Sequence, residues 1–323
     1  MFLWVDHQNQ LWRHVHKAKF EQQVKPNNVI AVSNHNDHQL ILTSDGECWG
    51  VGSNYFSQLS GGTFIFAPKP VRIYGMNKVV QISAGKSNSA FLDSNGIVWG
   101  CGKNTHGQIA NRNIAKISTP EAISNLPPAT AICVGENCIV ALDMDGVVWL
   151  NGYSESINPA HFNLNHYGQM DAAYRLKFKM KIVQMSADQN FLFAGEDNKT
   201  LWRCATVKNI PKTKRFNFPN GIMQICEAYQ SVVLDDAGTL YYTNCDRFVE
   251  FPKSIKGEEI FITHFYRSCA QEFFFSTADD KYYVVPLSKK NPEARTKRIK
   301  LPFTPIPYQN DWVRLQVKSA RTL

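Results

Sequence analysis

Along most of the chain, apolar runs of four to six residues alternate with short polar breaks, and many breaks contain Asn-Gly or Asp-Gly with an aromatic residue three positions later. Residues 90–102, AFLDSNGIVWGCG, give the sharpest instance. Runs of this length bounded by turn residues predict strands, and an Asx-Gly pair supplies the positive φ that a tight hairpin needs. The pattern recurs at 40–52 (LILTSDGECWGVG) and 140–152 (VALDMDGVVWLNG), placing Trp49, Trp99 and Trp149 at intervals of 50 residues. Weaker copies end on Trp202, Tyr241 and Tyr282 or Tyr283, and one opens the chain and ends on Trp12, giving seven copies.

A second apolar segment precedes all but the first copy: NVIAVSNHNDH before Trp49, KVVQISAGKSN before Trp99, TAICVGENC before Trp149, KIVQMSADQN before Trp202, GIMQICEAYQ before Tyr241 and EEIFITHFY before Tyr282. Each unit therefore reads as strand, loop, strand, tight turn and aromatic strand. The first copy lacks the preceding strand, while NDWVRLQVKSA, 310–320, has that strand's shape and no hairpin after it. A chain that starts in mid-repeat and ends on the first strand of a repeat can close a ring, which removes exposed sheet edges. The expected fold is all-β, a seven-bladed propeller closed by pairing of the C-terminal strand with the N-terminal hairpin. It forms one domain over 1–323, with blades at 1–28 plus 310–323, 29–78, 79–130, 131–181, 182–221, 222–259 and 260–309.

Two propeller repeats are excluded by residues. None of the seven tryptophans is followed by Asp, against WD40, and Gly61-Gly62 is the chain's single Gly-Gly doublet, against kelch. The pattern resembles instead the repeat of the regulator of chromosome condensation (RCC1) family, V-x-x-I-x-x-G-x-x-H-x-x-x-L-T-x-x-G-x-x-W-x-x-G followed by G-Q-L-G. Residues 79–110 run through nearly all of it, including Gly107, Gln108 and Ile109, and the preceding unit supplies His38, Leu42, Thr43, Asp45, Gly46 and Gln58. The resemblance is strong over 29–152, faint over 182–285 and architectural elsewhere. The family histidine is replaced by Asn88 and Cys138 in the next two units.

Composition adds limits. With 323 residues and 44% hydrophobic content the chain can build a substantial core. Its apolar runs are far shorter than the roughly 20 residues of a spanning helix, and its first residues lack a signal peptide's apolar stretch. Eight cysteines are scattered without a CxxC pair, as buried thiols in a reducing cytosol would be. The formal net charge of +8 permits an acidic partner without demanding nucleic acid. No GxSxG, HExxH, GxGxxG or GxxxxGK[ST] occurs, so small-molecule catalysis is not expected. His14 and His16 alternate on a strand-like segment with no third ligand near them in sequence, so no metal site is read there.

The resemblance sets the functional expectation, although fold alone does not fix function. The family includes an exchange factor for the small GTPase Ran, light receptors, ubiquitin ligase modules and inhibitors that bind proteases or lactamases. In a propeller the loops between first and second strands gather on one face, which here collects Asn36, Asp37 and His38; Lys86, Ser87 and Asn88; Glu136 and Asn137; Asp188 and Gln189; Glu227 and Tyr229. The family's exchange factor uses an Asp immediately before the repeat His, and Asp37 occupies that place. An acidic group there can engage GTPase residues that would otherwise hold phosphate. The resemblance thus implies a monomeric chain without a cofactor that binds a small GTPase, Ran first among them, and promotes guanine-nucleotide exchange. Asp37 is the key contact, and Asn36, His38, Lys86, Glu136, Asp188, Glu227 and Tyr229 are partner-binding. Asp37 equally suits a simple turn, and His38 is read first as a structural residue that makes a hydrogen bond within the blade.

Residues 153–180 have lost the Gly-Gln-Leu-Gly signature, and they read as an irregular blade strand or a projecting wedge. Residues 288–300 gather Lys289, Lys290, Arg295, Lys297, Arg298 and Lys300, a solvated loop, a nuclear localisation patch or a contact for acidic or phosphate-rich surfaces. Eroded, Asn- and Lys-rich repeats fused to no other domain suit a stand-alone module such as a bacterial effector acting on a host GTPase in the host cytosol. The alternative is a non-catalytic propeller, a scaffold or inhibitor binding another protein or chromatin.

Overall fold

The computed structural model describes residues 2–6, 8–16, 19–23, 25–35, 37–109, 114–157, 159–162, 173–207, 210–227, 230–244, 247–255, 258–267, 272–279, 281–286 and 297–299. The N-terminal hairpin builds a three-stranded antiparallel sheet, β1 (Phe2–Val5), β2 (Leu11–His16) and β3 (Lys19–Gln23). Six four-stranded antiparallel meanders come after it. The first blade is β4 (Val29–Asn34), β5 (His38–Thr43), β6 (Cys48–Ser53) and β7 (Phe66–Ile73). The second is β8 (Val79–Ala84), β9 (Asn88–Asp93), β10 (Val98–Lys103) and β11 (Lys116–Ala122). The third is β12 (Ala129–Val134), β13 (Cys138–Asp143), β14 (Val148–Gly152) and β15 (Tyr174–Leu176), with a single helical turn, α1 (Pro159–Phe162), before its last strand.

The fourth blade is β16 (Ile182–Ala187), β17 (Phe191–Gly195), β18 (Thr200–Val207) and β19 (Ile210–Asn217). The fifth is β20 (Ile222–Cys226), β21 (Val232–Asp235), β22 (Leu240–Asn244) and β23 (Arg247–Glu250), followed by a two-stranded ribbon, β24 (Ser254–Ile255) and β25 (Glu258–Glu259). The sixth is β26 (Ile262–Arg267), β27 (Glu272–Thr277), β28 (Tyr282–Pro286) and β29 (Lys297–Ile299). The all-β propeller expectation holds, but the described residues contain six complete blades, not the expected seven. Ring closure is not shown, because 310–320 lies outside the described residues.

The sequence repeat acquires its physical meaning at the hairpin turn. Asp93, at the end of β9, accepts hydrogen bonds from the Asn95 and Ile97 amides on Oδ1 at 2.9 and 3.0 Å and from Trp99 Nε1 on Oδ2 at 3.0 Å. Asp143 repeats this with Asp145, Val147 and Trp149, and Asp6 with Gln8, Gln10 and Trp12. Asp235 does so with Ala237, Thr239 and the Tyr241 hydroxyl. The carboxylate and the aromatic stand six residues apart, so one side chain ties the turn to the following strand. Burial pushes the Asp93 carboxyl up, but the Trp99, Ile97 and Asn95 donors outweigh it and hold the group below the usual carboxylate range.

The turn itself differs from the expected form. Only the glycine takes a positive φ, Gly96 at 82°, while Asn95 does not. Asp93 and Ile97 face each other across a three-residue loop, with Asp93 N bonding Ile97 O and Gly96 N bonding Asp93 O. This is a right-handed turn ending in one left-handed residue. Where the sequence has no glycine, Asn9 (φ 60°) and Asn198 (φ 56°) take that place, since Asn tolerates the left-handed region best.

Blades are stitched to one another by polar side chains of the innermost strands. Ser33 Oγ accepts from Ala84 N at 2.9 Å, Ser83 Oγ from Val134 N at 3.1 Å and Ser186 Oγ from Glu227 N at 2.8 Å. Gln81 exchanges two bonds with the backbone of Ile132. Asn34 does the same with Leu3, joining the first blade to the N-terminal sheet. Apolar clusters fill the space between neighbouring blades, including Phe162, Phe178, Phe193 and Trp202 between the third and fourth. Six cysteines, Cys48, Cys101, Cys133, Cys138, Cys204 and Cys226, are buried free thiols, and burial pushes Cys101, Cys138 and Cys204 up to about 12.

Asp93→Ala removes one acceptor serving a ring N–H and two turn amides, and it should lower unfolding free energy by about 1–3 kcal/mol. Asp93→Asn, which keeps a carbonyl for Trp99, should lose less. Urea midpoints measure both, and an unchanged midpoint in Asp93→Ala would remove the clamp from the account of stability.

Candidate functional site

In an antiparallel meander the loops after the first and third strands share one end of the blade, opposite the Asp-clamped turn. Backbone bonds fix this end: Ser53 N donates to Asp37 O at 2.7 Å, Lys103 N to Ser87 O at 2.8 Å and Tyr153 N to Asn137 O at 3.1 Å. The preceding glycine makes the approach feasible. Gly52 has φ 107°, and a Cβ on it would stand 2.5 Å from Asp37 O; Gly102 and Gly152 meet Ser87 and Asn137 in the same way. The terminal glycine of the W-x-x-G pattern thus seats the loop that carries Asp37, Lys86 or Glu136.

Four candidate side chains meet around the mouth formed by these loops. Lys86 Nζ pairs with Glu136 of the next blade, across a partly exposed surface. The Glu136 bond, aided by the charges of Glu136, Asp37 and Asp188, raises the Lys86 ammonium above its usual range despite partial burial. Asp188, half-buried in the fourth blade, places Oδ1 3.6 Å from Nε2 of the buried His35 in the first, and its carbonyl accepts from Glu136 N at 3.1 Å. Asp37 is exposed. First, second, third and fourth blades therefore converge through one mixed-charge cluster. His35 was not among the sequence candidates; its only signal was its place two residues before Asp37.

Two of the partner-binding candidates do not reach the surface, nor does Asn88, placed by the sequence on the same face. His38 is fully buried, and its Nε2 lies 2.8 Å from Ser89 Oγ, which in turn donates to Gln58 O at 2.7 Å. Burial, then the neighbouring His35, lowers its pKa to about 3, so it is neutral at physiological pH. Glu227 is also fully buried. It accepts from Asn190 Nδ2 at 3.0 Å and Ser231 Oγ at 2.5 Å, and burial raises its carboxyl above the usual range against the opposing Arg203 charge. Both belong to the blade interior, because the repeat directs the start of the second strand and the end of the first into the packed ring. The partner-binding role is corrected for both side chains, while the blade hydrogen bond expected of His38 is present.

Asn36 and Tyr229 lie outside the described residues, as do Lys289, Lys290, Arg295 and Lys300. Lys297 and Arg298 stand on β29, with Arg298 opposite Tyr283. Within 153–180 the described part contributes β15 as the third blade's outer strand, pairing Arg175 with Trp149; a projecting wedge would fall at 163–172, outside the described residues. Among the described residues no group of three or more His, Cys, Asp or Glu is placed to hold a metal ion. No helix among them is long and apolar enough to cross a membrane.

These features define an RCC1-like β-propeller, and the comparisons agree. Models of the regulator of chromosome condensation (RCC1) repeat match residues 45–92, 95–142 and, in a second form, 79–108. Human WBSCR16 superposes with a TM-score of 0.73 at 14% identity, over 90% of this chain and 86% of that one. Prp20p of Saccharomyces cerevisiae, whose structure was described with its binding to Gsp1p and histones, gives a TM-score of 0.59 at 16% identity, over 74% of this chain and 68% of its own. No curated protein matches the chain in sequence. Residues 45–142 are RCC1 repeats, and the fold is that of an RCC1-like propeller.

The buried His38 carries a pH signature. It stays neutral in the fold down to about pH 3, whereas in the unfolded chain it takes up a proton below about pH 6.5, so the unfolded state binds more protons in that window. Stability from this group is complete above pH 6.5 and is lost as pH falls, at up to about 1.4 kcal/mol per unit. His38→Asn, the residue that the second blade uses at the equivalent position, should flatten the fall in urea midpoint between pH 7 and 5. An identical slope in wild type and variant would assign the pH dependence elsewhere.

Proposed function

We propose that this chain binds a small GTPase through the face bearing Asp37, Lys86, Glu136 and Asp188 and promotes release of its guanine nucleotide, with Ran the GTPase to test first. The observation that carries the reading is Asp37: an exposed carboxylate on a loop clamped through Gly52 and Ser53, in a place that resembles the Asp position of the RCC1 repeat. A rigidly seated acid beside Lys86 and Glu136 can compete with phosphate for a GTPase's lysine without needing a cofactor. The fold shared with Prp20p, a protein described as binding Gsp1p, supports the choice of partner class. Asn36 and Tyr229 extend the contact in this reading. In this reading 310–320 supplies the innermost strand beside β1 and completes a seventh blade. The protein works as a monomer, in the cytosol or, as a secreted effector, in a host's cytosol.

A second reading, a non-catalytic scaffold for another protein or for chromatin, draws on the histone binding described for Prp20p and on the basic run 288–300, whose Lys297 and Arg298 sit on the outer strand of the sixth blade. Release of a fluorescent guanine nucleotide from Ran and a panel of other small GTPases, at catalytic amounts of this protein, separates the two. Acceleration of at least about tenfold, abolished in Asp37→Lys, is the expected result. A folded protein that accelerates none of them sinks the exchange reading and leaves the scaffold.

A further inference from the structure

The first blade carries an apolar feature that its repeat does not require. Between β6 and β7 and at the start of β7, Tyr55, Ile65 and Phe66 stand 67%, 70% and 58% exposed, and Phe56 and Phe64 are half-buried. The second blade provides an internal reference, because the described ends of its loop, 104–109 and 114–115, repeat the same three hydrogen bonds. Asn54 N donates to Ile65 O, Asn54 Nδ2 to Phe64 O, and Leu59 N to Asn54 Oδ1. Fifty residues on, Asn104 N donates to Ala115 O, Asn104 Nδ2 to Ile114 O, and Ile109 N to Asn104 Oδ1. The positions equivalent to Tyr55, Phe56, Ile65 and Phe66 are there Thr105, His106, Ala115 and Lys116. Ile114 keeps an apolar residue in the place of Phe64, but the bonds that tie the two ends of the loop form without Tyr55, Phe56 or Phe66, so these aromatics are not needed to make them.

Single exposed apolar residues are ordinary, but several large ones gathered on one preorganised loop mark a contact surface. This loop belongs to the candidate face. Asp37 O is bonded to Ser53 N, and Ser53 lies opposite Phe66 in the sheet register, so acid, strand and aromatic edge succeed one another outward from the channel mouth. β7 is an outer strand bearing Pro68 and Pro70, which lack the N–H that strand addition requires, so contact here proceeds through side chains.

We infer that Tyr55, Ile65 and Phe66 form the apolar anchor through which the partner docks, and that this partner is a folded protein presenting an apolar cluster bordered by a lysine or arginine for Asp37. The inference rests on the GTPase reading and assigns the two jobs separately: the aromatic loop holds the partner, and the acidic mouth acts on it. Large aromatic and aliphatic anchors beside a complementary charge are the usual energetic centre of such contacts.

The test measures the dissociation constant of purified protein for Ran and the same GTPase panel, comparing wild type, Ile65→Lys alone and the combined Tyr55→Ser, Ile65→Ser, Phe66→Ser variant. Sedimentation velocity and thermal melts accompany each. The side chains changed are exposed, so melts should be unaltered, while binding should weaken about tenfold or more in the combined variant and measurably in Ile65→Lys. Equal binding by wild type and both variants would overturn the anchor and leave the GTPase reading standing. A panel in which wild type binds no GTPase overturns that reading and the anchor together. A wild-type dimer that the combined variant dissociates would show that a second copy, not a GTPase, occupies the patch.

Discussion

A carboxylate at the hairpin turn sets the register of a blade, and the rest of the blade depends on that register. Asp93 gathers two turn amides and the Trp99 ring N–H, and in doing so aligns β9 against β10, with Trp99 opposite Phe91 and Gly102 opposite Asn88. That alignment delivers the glycine to the far end of the blade, where it lies against the Ser87 carbonyl and seats the surface loop. A bond at the turn end thus fixes the geometry of the opposite end, at the other extreme of both strands. Asp6, Asp143 and Asp235 repeat the arrangement, and in the first blade Thr43 replaces it, its Oγ1 accepting from the Glu47 amide while the Glu47 carboxylate accepts from the Trp49 ring N–H.

Between blades, a second polar device holds the ring. Serine and glutamine on the innermost strands bind backbone groups of the following blade, so neighbouring sheets are positioned by directional bonds as well as by the apolar clusters between them. Because these groups are buried, each bond made is also a desolvation penalty avoided. The consequence for the candidate site is a rigid rim: side chains from four blades reach one mouth, and His35 and Asp188, far apart along the chain, come within 3.6 Å.

The division of the face into a charged centre and an aromatic edge arises from the meander. First-to-second strand loops of the first four blades are short and gather where Lys86, Glu136 and Asp188 meet; in the first three blades the third-to-fourth strand connections are longer, and Tyr55 and the adjoining Phe66 are exposed there. Repetition keeps the scaffold constant while each outer loop carries its own chemistry, as the change from Tyr55 to Thr105 at one backbone position illustrates.

Local pattern was enough to read the propeller and its hairpins. The 50-residue recurrence of Trp49, Trp99 and Trp149 is written into the covalent chain, and short apolar runs bounded by turn signals mark strands wherever they occur. Repeat position also put Asp37, Lys86, Glu136 and Asp188 on one face, because it says which end of a blade a loop occupies. Less legible were the outer strands such as β7 and β11, whose exposed, proline-containing sequences show no alternation. Which polar residues are interior was settled only in three dimensions. Glu227 looks like a surface loop residue in the linear pattern, and the partner that His38 bonds is not visible in it; packing of neighbouring blades seals both side chains inside, where hydrogen bonds and burial, not sequence neighbours, set their chemistry.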